Sequence, residues 1–253
     1  MSEKFLNLNL ENVDSEHLCC AIAGSKHKHY EGVLQKKEWL KSRIPKGHVF
    51  RKLDERGKVF IEYAPVEEAF VPINGDNYNY IYCFWVSGKF KKQGYGQKLL
   101  NYAIEDSKEE GKSGLCVISG EKKLNFLSDG EYLKKYGFKA VDNALSFQLL
   151  ALSFDNNPTP SFSKKAKMNM ISDKEDVVIY YTSEYPFVNN CVLEIEEVCD
   201  EEGLSLKLIH IDKLEKAKNS PVILNNFAVF FKGEFLTHEL LNKGRFRKFL
   251  NIK

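Results

Sequence analysis

The apolar positions of this chain fall into short runs whose period switches repeatedly between two residues and about four. Period-two runs rich in β-branched and aromatic residues predict strands at 5–10, 49–53, 59–63, 68–72, 79–86, 115–119, 139–142 and 145–153. Helical spacing predicts helices at 15–22, 36–43, 95–109 and 129–136. In the third of these Leu99, Leu100, Ala103 and Ile104 share one face, and Gly111 is a natural stop. Ser128 and Glu131 have the spacing of a capping box for the fourth.

A proline-containing turn segment and then a basic stretch with no apolar period interrupt this pattern between Asp155 and Ser172. The organisation expected is a domain at 1–155, a linker at 156–174 and a small second domain at 175–253. The second domain reads as strand 177–181, helix 189–200, strand 204–211, a hairpin of 227–231 with 234–238, and helix 243–250. Val192, Ile195, Val198 and Cys199 form the apolar stripe of its first helix, and Lys232-Gly233 makes the hairpin turn. The fold class is therefore α/β, in detail α+β.

Composition narrows the function classes. Over 253 residues, 43% apolar and 28% charged describes an ordinary globular protein. A formal net charge of +2 argues against duplex nucleic acid as the main partner. No apolar run approaches the roughly eighteen residues of a membrane span. The six cysteines form no CxxC pair, and Met1 to Phe5 has no apolar leader, so the expected location is the cytoplasm. No metal site is expected: His27 and His29 are interleaved with lysines in a solvated loop, and Cys83 sits in an apolar strand as a packed thiol.

The richest chemistry lies between Tyr80 and Leu100, where an aromatic strand leads through a basic glycine loop into an amphipathic helix. Helix starts carry backbone N–H groups without intrahelical partners, a setting suited to phosphate. Two nucleotide loops are excluded by residue. Gly96 is followed by Gln97-Lys98 rather than Lys-Ser/Thr, and Leu99 stands where a dinucleotide fingerprint needs its third glycine.

Val86, the loop Ser87-Gly88-Lys89-Phe90 and then Lys91-Lys92-Gln93-Gly94-Tyr95-Gly96 resemble the acyl-CoA loop of the GNAT N-acetyltransferases. The resemblance runs from about residue 1 to 155, with Lys91 standing where the family prefers Arg or Gln. Glu131 to Phe138 resembles the family's Tyr-x-Lys-x-Gly-Phe segment at the right separation. The resemblance implies a GNAT fold, with acetyl-CoA as co-substrate and an amine-bearing acceptor. It implies that Lys91, Lys92, Gln93, Gly94, Tyr95, Gly96 and Gln97 hold the pyrophosphate. It also implies a splayed strand whose backbone at Phe84, Trp85 and Val86 pairs with the pantetheine arm.

Transfer to an amine by direct attack needs a base and an acid. The family's usual acid position falls on Leu133, which leaves the flanking Tyr132 as the candidate. Glu68, beside Glu67 and ahead of Asp76, is the candidate base. The second domain resembles a thioredoxin fold of order β-α-β-β-β-α in which Tyr185 and Val188 replace the two cysteines, which excludes dithiol exchange. Joined to the first domain, it resembles the YoaP-like acetyltransferases of Firmicute-type bacteria, most strongly from Phe230 to Leu240. Its expected role is acceptor recognition or support of an assembly, a homodimer included. The alternative left open is a CoA-binding or thioredoxin-like adaptor that has lost catalysis.

Overall fold

The computed structural model describes residues 4–124 and 126–251. Its strands are β1 (Phe5–Asn7), β2 (Val49–Leu53), β3 (Val59–Pro65), β4 (Ile73–Asn74), β5 (Tyr78–Val86), β6 (Gly114–Gly120), β7 (Lys139–Ala144), β8 (Phe147–Ser153), β9 (Ser161–Phe162), β10 (Val177–Tyr181), β11 (Leu206–His210), β12 (Phe227–Phe231) and β13 (Glu234–Thr237). Its helices are α1 (Tyr30–Arg43), α2 (Tyr95–Glu109), α3 (Gly130–Lys134), α4 (Lys164–Met168), α5 (Val188–Glu202), α6 (Leu214–Lys218) and α7 (Lys243–Phe249). Two compact units form. One holds the chain up to Ile22, Leu40–Ala69 and Ile73–Ser163, and the other holds Ala23–Trp39, Phe70–Pro72 and the chain from Lys164.

The first unit is built on a sheet of order β1-β2-β3-β5-β6-β8-β7. Only β5 and β6 run parallel; every other neighbouring pair is antiparallel. The apolar face of α2, with Leu99, Leu100 and Ala103 fully buried, packs with Ile61, Tyr63, Ile81, Leu115, Val117 and Leu150 of the sheet. Tyr63 reaches across to donate its hydroxyl to Asp106 of α2, and its burial there pushes the phenol pKa far above the ordinary range. Gly111, at φ +70°, lies just past the end of α2, as the sequence predicts.

Two irregularities interrupt the pairing of β5. Glu62 faces Cys83 while Tyr63 faces Ile81, so Tyr82 is an extra residue that bulges β5. The parallel ladder ends early: Tyr78, Asn79 and Tyr80 pair with Gly114, Leu115 and Cys116, and beyond that point β6 pairs only with β8. Among the described residues, β5 therefore has a strand neighbour on one side only, β3, from Ile81 to Val86.

Several predicted elements differ. No helix forms at 15–22. Asn9, Asn12 and Ser15 spend their side chains on nearby backbone groups and hold the chain entering this stretch in turns. A single turn at Val66–Glu68 and the short β4 replace the strand at 68–72, because Pro65 ends β3 and Ala69 N–H closes onto the Val66 carbonyl. Asp129, not Ser128, caps α3, its Oδ1 accepting from Glu131 and Tyr132 N–H at 3.1 and 3.3 Å. Ser128 is buried, and its carbonyl accepts from the Ser119 hydroxyl. The stretch at 156–174 carries β9, paired with β4, and α4.

The second unit is a four-stranded sheet of order β11-β10-β12-β13, with β10 and β11 parallel and the rest antiparallel. Ile195 and Val198 of α5 and Phe246 of α7 cover one face, and Val178, Val222, Ala228 and Phe230 pack on the other. The segments from 23–39 and 70–72 also pack in this unit, unlike the expected boundary at 155. Gln35 donates to Asn189 at 3.2 Å, Asn225 donates to the Phe70 carbonyl at 2.9 Å, and a Cβ on Gly32 would lie 1.9 Å from the Pro186 oxygen. Lys36 and Glu184, only 1% and 5% exposed, form an ion pair at 3.4 Å. Lys36→Ala takes this counter-ion from a buried carboxylate and is expected to lower stability by about 3–5 kcal/mol, read as a drop in the urea midpoint at unchanged m.

Candidate functional site

The loop between β5 and α2 is shaped by its backbone. Lys92 and Gly94 both take left-handed conformations, φ +62° and +80°. Glycine does so without strain, which explains why it stands at the N-cap of α2. No side chain caps this helix, and its first internal bond is from Lys98 N–H to the Gly94 carbonyl. The N–H groups of Tyr95, Gly96 and Gln97 therefore have no partner in the helix, at its positive end and with no acidic residue in the first turn.

A cleft of about 530 Å³ opens over this helix start. Of the residues singled out by sequence, Phe84, Trp85, Val86, Lys91, Lys92, Gly94, Tyr95, Gly96, Gln97 and Tyr132 line it. Gln93 does not: it is exposed, and its side-chain amide donates to the Lys89 carbonyl. The segment Phe84 to Val86 belongs to the part of β5, from Ile81 on, that does not pair with β6, so the cleft runs along a strand edge and ends on the α2 N-terminus.

The opposite wall, which the sequence did not single out as a site, comes from Lys123, Leu124, Leu127 and Asp129. Nothing periodic marks that stretch; the one local signal is the capping Asp129. Lys123 binds its carboxylate at 2.8 Å and holds the Asp129 pKa below its ordinary value. Among the described residues the charged side chains on the cleft wall are Lys91, Lys92, Lys123 and Asp129, the last two paired with each other.

Tyr132 projects into the cleft because α3 is one short turn whose buried residue is Leu133. Its ring packs on Phe84, with centroids 5.7 Å apart, and its hydroxyl donates to Tyr136 at 3.1 Å. A Cβ on Gly96 would lie 2.9 Å from that hydroxyl, so the second glycine of the loop is what lets Tyr132 reach the helix start. Burial, then the Tyr136 hydrogen bond, raises the Tyr132 pKa, so the phenol stays protonated through neutral pH. Glu68 is not on the cleft wall. It ends the turn after Pro65, where its carboxylate accepts from Arg43 at 2.7 Å. Glu67 is likewise occupied, accepting from Asn77 N–H.

Among the described residues no helix is long and apolar enough to cross a membrane. Comparison with known proteins places the chain. The profile of the acetyltransferase (GNAT) family matches residues 14–138, and that of the YoaP-like family matches 205–248. The uncharacterized N-acetyltransferase YoaP of Bacillus subtilis (strain 168) is 39% identical over 249 residues, 98% of either chain. Two solved structures resemble it at low identity. A GNAT family acetyltransferase of Brucella melitensis in complex with acetyl-CoA is 20% identical over 62% of this chain and 90% of that one, TM-score 0.38. The PaiA N-acetyltransferase of Thermoplasma acidophilum in complex with coenzyme A is 19% identical over 61% and 100%, TM-score 0.42. With a relative of that identity spanning both units, and a glycine-capped helix facing a one-sided strand, the chain belongs to the GNAT family of N-acetyltransferases, in its YoaP-like branch.

Proposed function

We propose that this protein transfers an acetyl group from acetyl-CoA to a primary amine by direct attack within a ternary complex. The observation that carries the reading is the continuity of the cleft from the open edge of β5 to the uncapped start of α2. In this reading the pantetheine arm pairs with the backbone of Phe84 to Val86 as an added strand would. The pyrophosphate lies on the N–H groups of Tyr95 to Gln97, with Lys91 and Lys92 beside it. Lysine in place of arginine at 91 keeps the charge and gives up bidentate geometry.

The amine nitrogen attacks the thioester carbonyl carbon, the C–S bond breaks, and the sulfur leaves as a thiolate. Tyr132 is the proposed acid, turning its hydroxyl from Tyr136 to give that sulfur a proton, while the surplus proton on the new amide nitrogen passes through solvent and restores the phenol. An ordinary lysine-like amine must first lose its own proton at a cost of about 4–5 kcal/mol at pH 7. Glu68 is the carboxylate assigned to this by sequence, without support from its position. The second unit is read here as a thioredoxin-like domain without the dithiol, a reading its strand order β11-β10-β12-β13 supports, with recognition rather than redox exchange as its role.

Acetyl-CoA at 100 times its Kd should raise the melting temperature by about 5–10 °C, from about 2.7 kcal/mol of ligand linkage. A panel of primary amines should then release CoA thiol in step with acetylated product. Absence of any thermal shift at millimolar acetyl-CoA would remove the reading.

A further inference from the structure

We propose that Gly57, in the turn between β2 and β3, is a positioning residue for the phosphate loop, and that Phe90 transmits its effect. This rests on the acetyl-CoA reading of the cleft. Three contacts tie the turn to the loop. Ser87 N–H donates to the Lys58 carbonyl at 2.9 Å, Lys89 pairs with Glu55, and the Phe90 ring lies directly on Gly57. The third is the tightest: a Cβ on Gly57 would fall 2.2 Å from Phe90 Cε2 and 2.9 Å from Cζ.

Phe90 has little room to yield. It is 6% exposed, belongs to the core under α2 and meets Tyr95 edge-on at 5.9 Å. Phe90 and Tyr95 both line the cleft, and Tyr95 is the first residue of α2. A methyl group at 57 therefore pushes on the ring that seats the helix start. Gly57 itself has an ordinary backbone, with φ outside the left-handed range, so alanine there brings the contact without backbone strain.

The test uses the full chain with two probes, coenzyme A and pantetheine, which lacks the phosphates. Gly57→Ala should weaken coenzyme A at least tenfold and leave pantetheine within twofold, because only the phosphate end of the cleft moves. In a Phe90→Leu background, where Cε2 and Cζ are gone, the same alanine should cost less than twofold in coenzyme A affinity. The proposal is overturned by unchanged coenzyme A binding in Gly57→Ala, by equal loss of both probes, or by an undiminished alanine effect in the Phe90→Leu background. Failure of the unaltered protein to bind coenzyme A would instead strike the reading on which the proposal rests.

Discussion

Gly94→Glu should abolish the thermal shift produced by acetyl-CoA while leaving the fold in place. A Cβ at 94 meets nothing within 4 Å, so the new side chain enters the cleft rather than the core. The backbone there is left-handed at φ +80°, which costs a non-glycine residue about 1 kcal/mol. That corresponds to about 2–4 °C in the melting temperature of the free protein. The functional effect is larger because it is electrostatic. A carboxylate at the N-cap takes up the helix-end donors that the pyrophosphate needs and repels its negative charge. Differential scanning fluorimetry with and without millimolar acetyl-CoA reads both numbers at once. A shift equal to that of the unaltered protein would mean the anion binds elsewhere.

Tyr132→Phe is the second large effect, and it should appear in kcat. The phenyl ring keeps its packing on Phe84, so acetyl-CoA affinity should stay within about threefold. Losing the proton donor should slow turnover about 10²-fold, the lower end of what general acid–base groups contribute. Tyr136→Phe is the control. Its hydroxyl accepts from Tyr132 and has no direct task in the proposed step, so turnover should change by no more than about threefold. Equal rates for Tyr132→Phe and the unaltered enzyme would assign the proton to another donor.

The range of each interaction decides how much of it sequence could disclose. The glycine loop was legible because its residues are contiguous: Gly94, the helix start and the apolar face of α2 all fall within one window. The aim of Tyr132 was not. An ideal helix through Tyr136 would turn Tyr132 away from the position occupied by Leu133, but α3 stops at Lys134, and Tyr132 within it and Tyr136 beyond it both line the cleft. Contacts between distant stretches left no local trace. Lys36 and Glu184 lie 148 residues apart in the chain, and Gly57 beneath Phe90 looks like any turn glycine until the ring is placed over it. The predicted helix at 15–22 failed for the opposite reason: Leu18, Cys19 and Ala21 are buried, but side-chain bonds upstream had already committed the chain to turns.

A sheet ordinarily has two margins where strand pairing stops; this one has a third, in its middle. An outer margin is open to any extended polypeptide and carries an aggregation risk that proteins must suppress. The gap between β5 and β6 is hemmed in by the start of α2, by Tyr132 and by Leu124 and Leu127. A peptide strand would have to bring side chains on both faces into that space. A slender chain without side branches could present its amides and pass. If the pantetheine arm pairs there as proposed, the early end of the parallel ladder at Tyr80 would act as a size filter, open to a slender amide chain and closed to a polypeptide strand.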